Sequence, residues 1–250
     1  MKLPFGLWRR EAVGHLIVQR TGIQLSLTAI GRYLAAWHFT PQKPIRRARQ
    51  RNEAAIRAWM EQDYPTIVKR ARREKAEIQC SDETGLSNQA NYGRRFAPEG
   101  QTPVIPRPAR RFGASMIASV TNQGKLRFMI YDGALKAATF VMFLRRLVKD
   151  TDRKLFVIVD NLRVHRANAV TAWGAAHVDR IKLFYLPPYA PARNPDEFVN
   201  NDVKQARGRR RTPMDKAALK AGLTSHRRGL QRRPEKVRSF FQAPDVRYAA

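Results

Sequence analysis

A chain of 250 residues that is 43% hydrophobic can bury one sizeable core, or a core and a small accessory unit, and is too apolar for general disorder. Its 48 Lys and Arg against 20 Asp and Glu leave a net charge of +28, an excess that repels itself unless a polyanion neutralises it, so nucleic acid is the first partner to consider. The lone cysteine, Cys80, excludes an internal disulfide and a Cys-based zinc site, the histidines lack metal-ligand spacing, and no apolar run suits a membrane span or a signal peptide. A reducing, cytoplasmic setting with no membrane partner is expected.

The charge is uneven. Residues 1–76 carry 16 basic and 5 acidic groups, residues 201–250 carry 14 and 4, and residues 77–200 carry 18 and 11. The flanks read as holders of a polyanion and the middle as the seat of chemistry.

Arg10 to Arg20 sets Val13, Leu16 and Ile17 on one helical face, and Thr21-Gly22-Ile23 breaks the pattern. Ser26 can cap a second helix, whose Ile30, Tyr33, Leu34 and Trp37 form its apolar stripe. The pair is a helix-turn-helix candidate over residues 1–45, with Ser26, Thr28 and Arg32 outward as groove contacts. Helix pairs that bind nothing share the pattern. Pro41 and Pro44 keep the next segment extended, leading into Arg46-Arg47-Ala48-Arg49. Lys43, Arg46 and Arg47 suit an arm that follows phosphates or a minor groove, or else a solvated linker. A basic helical linker is expected over 46–76, with one helix around Asn52 to Met60 and another opened by Pro65.

Glu77 to Gly85 reads as a strand ending in a turn, and its alternation sends Asp82 and Glu83 to opposite faces, so only one can belong to a given site. Gly113 to Thr121 and Lys125 to Tyr131 form a hairpin about Asn122-Gln123-Gly124. Phe140, Phe143, Leu144 and Leu147 mark a helix, and Leu155 to Val159 is a strand buried on both faces that stops at Asp160-Asn161. A helix from His165 to Ala176 and a strand from Ile181 to Leu186 follow. Pro187, Pro188 and Pro191 then force a turn before Asn194 and Pro195 start another helix as N-cap and first residue. Glu197, three residues past Asn194, could merely close a capping box. The order predicts an α/β fold, a mixed five-stranded sheet flanked by helices and preceded by a small all-α region. Asp82, Asp160 and Glu197 fall at the ends of separate core elements. Clustered carboxylates stay ionised together only with a cation, and hard oxygen donors suit Mg²⁺ or Mn²⁺.

Ser81-Asp82-Glu83-Thr84-Gly85, then Val157-Ile158-Val159-Asp160-Asn161 with His165, then Leu186-Pro187-Pro188-Tyr189 through Asn194-Pro195-Asp196-Glu197 resemble the three signatures of the bacterial insertion-sequence transposases of the Tc/mariner superfamily. Gly93 to Val104 and the tail Val246 to Ala250 resemble family sequence too. The resemblance implies a ribonuclease-H-like catalytic domain over 77–250 with a DDE metal triad at Asp82, Asp160 and Glu197, two Mg²⁺ or Mn²⁺ ions, and Asn161 and His165 as auxiliary candidates. It implies strand cleavage at the terminal inverted repeats of an element and strand transfer to target double-stranded DNA. A homodimer on DNA, clamped by the long 85–111 connection, is implied as well, as is a bacterial, nucleoid-associated location. Asp196 falls on the variable position of the Asn-Pro-any-Glu pattern and is expected to face solvent. Asn200 replaces a tryptophan usual in the family, which loosens the expected packing there, and an upstream helix-turn-helix usual in the family is not in this sequence. A truncated or inactive copy acting only as a DNA-binding protein is the alternative reading.

The tail carries arginine clusters at Arg207 to Arg211, including Arg209, Arg210 and Arg211, and at Arg227, Arg228, Arg232 and Arg233. They lie on helices predicted over Asp215–Gln231 and Pro234–Phe241, with Leu219, Leu223 and Leu230 packing inward. Phosphate contact is the expected role of the arginines, and a solvated helix face the alternative.

Overall fold

A computed structural model describes residues 8–42, 50–89, 96–102, 104–106, 108–209 and 212–250. The chain forms two compact units, Met1–Arg47 and Ala48–Ala250. Among the described residues no helix is long and apolar enough to cross a membrane.

The first unit holds α1 (Arg10–Thr21) and α2 (Leu27–Ala36). Gly22 ends α1 in the left-handed region at φ 72, where glycine has no Cβ penalty, and returns its N–H to Val18 O at 2.9 Å. Ser26 caps α2, its Oγ accepting from the Ala29 N–H at 3.1 Å. The helices meet closely at Gly14, where an added Cβ would stand 3.0 Å from Ile30 Cδ1. The expected stripe of α2 is only partly used. Ile30 is buried, but Tyr33 and Trp37 stack on each other at 5.9 Å and stay half or more exposed. Two short helices share too little facing surface to cover four large side chains.

The second unit opens with α3 (Glu53–Ala58), a π-helical stretch Trp59–Asp63, and α4 (Tyr64–Arg73). Two helices parted at Pro65 were expected, and the structure joins them. The Tyr64 N–H reaches back five residues to Trp59 O, and this wider turn absorbs the disruption that Pro65 would cause in a regular ladder. Trp59, Tyr64, Ile67 and Ala71 are buried in the main core, so the helical part of the 46–76 stretch packs into this unit instead of trailing as a linker.

The sheet comprises β1 (Glu77–Ser87), β2 (Gly113–Val120), β3 (Leu126–Tyr131), β4 (Leu155–Val159) and β5 (Ile181–Tyr185), in the order β3-β2-β1-β4-β5. The β1–β2 and β2–β3 pairs are antiparallel, and β1–β4 and β4–β5 are parallel. The parallel pairs follow from helical crossovers, α5 (Ala137–Lys149) before β4 and α6 (Asn168–Ala176) before β5. Then come α7 (Asp196–Arg209), α8 (Lys216–Gln231) and α9 (Pro234–Phe240). The helix predicted from His165 to Ala176 is split, because Ala167 stays extended between a 3₁₀ turn, Arg163–Arg166, and α6.

All five β4 side chains are buried. Phe156 and Ile158 face one way, toward Ile67 of α4, Val199 of α7, Leu230 of α8 and Val237 of α9. Leu155, Val157 and Val159 face the other, toward Phe140, Phe143 and Leu144 of α5 and Val170 of α6. At about 1.5–3 kcal/mol for each large apolar side chain buried, β4 anchors both layers.

The sheet positions the acids through unequal strand lengths. β4 stops at Val159 while β1 continues to Ser87. The pairing of Cys80 with Ile158, carried two residues further, sets Asp82 level with Asp160. Past that level β1 is paired on its β2 side alone, and this unpaired flank of β1 frames a notch with the carboxyl ends of β4 and β5, the usual ligand position in an open sheet. Because β1 runs to Ser87, the long connection to β2 starts at Asn88 and not at Gly85. Asn88 closes its base, its N–H donating to Phe112 O at 2.9 Å and its Nδ2 to Arg110 O at 2.9 Å.

Candidate active site

Alternation along β1 turns Asp82 and Glu83 to opposite sides. Asp82 faces α7, where Asn200 Nδ2 donates to its Oδ2 at 3.2 Å. Glu83 faces the 3₁₀ turn, with Oε2 3.9 Å from His165 Nε2. Asp160 directly follows β4. Its Oδ1 accepts from the Leu162 N–H at 3.2 Å, an ordinary turn bond, and also lies 2.9 Å from His165 Nδ1. Asn161 is a strut between strand ends, its Nδ2 donating to Leu186 O at 3.4 Å and its Oδ1 accepting from Arg166 Nε at 2.7 Å.

The proline turn delivers α7 to the same notch. Tyr189 takes a left-handed φ of 58 after Pro187 and Pro188, and a 3₁₀ turn, Pro191–Arg193, leads to Asn194. Asn194 Oδ1 accepts from the Asp196 N–H at 3.1 Å, while its Nδ2 donates to Ser81 O at 2.9 Å and ties the start of α7 to β1 beside Asp82. The Asn194 N–H, which a capping box would give to Glu197, goes to Pro191 O at 2.8 Å. Glu197, half-buried, is therefore not held as a cap. The turn is braced from behind, since Tyr248 OH donates to Arg193 O at 2.6 Å and Trp59 Nε1 to Tyr185 O at 3.0 Å. The Tyr248 ring meets those of Trp59 and Tyr64 edge-on, which explains why the distant tail belongs to the site's support.

Three expectations fail here. Asp196 is not solvent-facing but fully buried, with Oδ1 lacking a hydrogen-bond partner. Arg227 is not a phosphate contact: it is 0% exposed, donating from Nη2 to Asn200 Oδ1 at 2.9 Å and from Nη1 to Val199 O at 3.2 Å. Asn200 does not loosen α7, because its amide relays between Arg227 and the Asp82 and Asp196 carboxylates at 3.2 and 3.5 Å.

The electrostatics follow from this crowding. Burial, then the charges of Asp196, Glu197, Glu83 and Asp160, push the Asp82 carboxyl up to about 9. Burial raises Asp196 to about 7, opposed by the guanidinium of Arg227. Burial and the neighbouring Asp160 raise Glu83, and burial with the charges of Glu83 and Asp82 lifts the Tyr131 phenol to about 12. Asp82 therefore feels both Asp160 and Glu197 across the notch. The tightest set among the described residues is different: ligand atoms of Glu83, Asp160 and His165 all lie within 4.8 Å of one another, and Asp82 and Glu197 stand outside that set. Glu83 Oε2, His165 Nε2 and Asp196 Oδ1 are buried without partners. Oxygen donors in excess of local cations, several unpartnered, fit a hard divalent ion.

Glu83 is the residue that sequence reasoning passed over. Its only signal was the alternation that offered it as the other face's acid. Of the DNA-contact candidates, Thr28 and Arg32 are exposed, Ser26 is exposed with its hydroxyl spent on the cap, and Arg228, Arg232 and Arg233 are exposed. Lys43, Arg46, Arg47, Arg210, Arg211 and the side chain of Arg209 lie outside the described residues.

Carboxylates midway along β1, just past β4 and in the first turn of α7, on a sheet of this order, are what a ribonuclease-H-like endonuclease fold presents. The family model described as DDE superfamily endonuclease matches residues 77–220, and the chain belongs to that family. A winged helix-turn-helix model matches residues 4–63. Among solved structures, the Mos1 strand transfer complex superposes with a TM-score of 0.60 at 14% identity, covering 100% of this chain and 82% of that one. The Mos1 mariner paired-end complex with Mn gives 0.59 and 14%, covering 100% and 82%. The catalytic domain of Mos1 mariner transposase gives 0.51 and 13%, covering 81% and 97%. At such identities the likeness shows the shared fold. No curated protein matches the sequence.

Proposed function

We propose that the chain is a DNA transposase, which cleaves a phosphodiester at the terminal repeats of its element and joins the freed 3′-hydroxyl to target DNA. The observation that carries this reading is the influence of Asp160 and Glu197 on the carboxyl of Asp82 in a DDE-family chain of net charge +28. These three residues would hold two Mg²⁺ or Mn²⁺ ions. When bound, such ions supply Lewis acidity to the attacking water and to the departing oxygen. Asn200 holds one oxygen of Asp82, and His165 orients Asp160 through Nδ1. Thr28 and Arg32 on α2 would read DNA, with exposed arginines of α8 and the following turn on phosphates. The division of labour is recognition by residues 1–45 and catalysis by 77–250.

Two copies would act together on paired element ends, with the 88–112 segment reaching across. Support comes from Phe96 and Val104, large apolar side chains that stand almost wholly exposed on that segment. Mos1 complexes described as paired-end complexes with Mn and with Mg point the same way for DNA and for the ion. The work would take place on the nucleoid of a bacterial cytoplasm. The test is Glu197→Gln on DNA carrying the element's ends. Gln is a poorer ion ligand of the same shape, so cleavage should fall by at least about a thousandfold while DNA binding and thermal stability hold. Undiminished cleavage would remove Glu197 from the centre, and binding without cleavage by the wild type would leave a DNA-binding protein only.

A further inference from the structure

His165 has the setting of a histidine prepared to ligate. It is 1% exposed, its ring packs against Phe140 at 4.5 Å, and its backbone carbonyl accepts from Tyr185 OH at 3.2 Å. Nδ1 faces only acceptors, Asp160 Oδ1 at 2.9 Å and Asp160 O at 3.3 Å. In the neutral ring this places the proton on Nδ1 and turns the Nε2 lone pair toward Glu83. Nε2 is buried without a hydrogen-bond partner, and so is Glu83 Oε2 in front of it. Their 3.9 Å separation is too long for a hydrogen bond. It lies within the span of two donors on one ion, since metal–nitrogen and metal–oxygen bonds of about 2.0–2.2 Å allow up to about 4.4 Å. A carboxylate on one ring nitrogen and an open second nitrogen is the arrangement that fixes ligating histidines in metal sites.

We infer that Glu83 Oε2 and His165 Nε2, with Asp160 fixing the ring from the Nδ1 side, form an imidazole-containing position for a divalent first-row transition ion such as Mn²⁺. This position adjoins the carboxylate centre and rests on the reading that Asp160 holds a divalent ion. A nitrogen donor among oxygens favours Mn²⁺ over Mg²⁺, which takes oxygen almost exclusively. The position therefore makes this centre sensitive to which ion is supplied, through residues beyond the three carboxylates.

The full-length protein, loaded with Mn²⁺ alone, tests this by pulsed electron paramagnetic resonance. Bound Mn²⁺ should show nitrogen-14 modulation from one imidazole. Changing His165→Gln should abolish the modulation and weaken Mn²⁺ at least about tenfold, and by more than it weakens Mg²⁺. Glu83→Gln, which leaves the ring in place, should weaken Mn²⁺ similarly and carries the test if the His165 variant fails to fold. Mn²⁺ bound without nitrogen modulation in the wild type, or modulation that survives His165→Gln, would overturn this inference and leave the carboxylate centre standing. No bound Mn²⁺ at all would overturn both.

Discussion

Replacing Arg227 by methionine tests whether the charge beneath the site holds it together. Arg227 is fully buried, and its fork spends Nη2 on Asn200 Oδ1 at 2.9 Å and Nη1 on Val199 O at 3.2 Å. Hydrogen bonds from a charged donor contribute about 1.5–3 kcal/mol each, and removing one member of a buried ionic network typically costs about 3–5 kcal/mol. The substitution also relieves the desolvation of the guanidinium, and methionine fills much of the space, so a net loss of about 3 kcal/mol is expected. Asp196 loses the cation that opposes its burial, and Asn200 loses the partner that orients its amide toward Asp82. For a unit of this size, about 2–4 °C per kcal/mol gives a fall in Tm of roughly 6–12 °C by calorimetry. The double variant with Asn200→Leu should fall short of the sum of the single losses by at least about 1 kcal/mol, since both act on one network. Arg227→Lys should recover little, because it keeps the charge and loses the fork. A Met variant melting within about 2 °C of wild type, with additive losses in the cycle, would refute the network as a support.

Acid should act through Glu77. This carboxyl is buried, which alone would raise it, but hydrogen bonds from Lys125, Arg127 and Gln79 prevail and hold it below the usual range. Its folded value is depressed, so its contribution is present above the unfolded value of about 4.3 and is lost as pH falls through the folded one. In urea titrations, Glu77→Gln should be less stable than wild type at pH 7, and the gap should close below about pH 4; a gap that stays constant would refute the assignment. Gly124→Ala should cost about 2 kcal/mol or more, because Gly124 has φ 92 and a Cβ would stand 2.5 Å from Pro234 O. Gly133→Ala, also at positive φ but with open space, should cost about 1 kcal/mol, and equal losses would sink the steric account. Ser26→Ala should cost the first unit about 1 kcal/mol through the lost cap and weaken DNA binding by gel shift, leaving the melting of the second unit unchanged.

Local patterns made much of the fold legible. The run Leu155 to Val159 announced a strand covered on both faces, and the spacing of Phe140, Phe143, Leu144 and Leu147 announced α5, because each pattern records which neighbours share a face. Loop length and apolar period together separated the antiparallel hairpin from the parallel crossovers. The continuous run through Pro65 escaped this logic, since a π-helical turn leaves the side-chain pattern almost unchanged while relocating a backbone bond.

Sequence alone determined the strands, the proline turn, the placing of Asp160 and Glu197 at element ends and the opposite facing of Asp82 and Glu83, all of them consequences of bonds and periods within a few residues. Tertiary structure alone decided which charges are buried and what they meet. Arg227 and Asn200 lie 27 residues apart, Asn200 and Asp82 lie 118 apart, and Asn194 and Ser81 lie 113 apart. Burial of a charge depends on partners brought in by packing, so nothing near Asp196 or Arg227 in the chain distinguishes them from their solvated neighbours. The facing of His165 and Glu83 arises in the same way, where β1 outruns β4 and the turn after β4 folds back beside it.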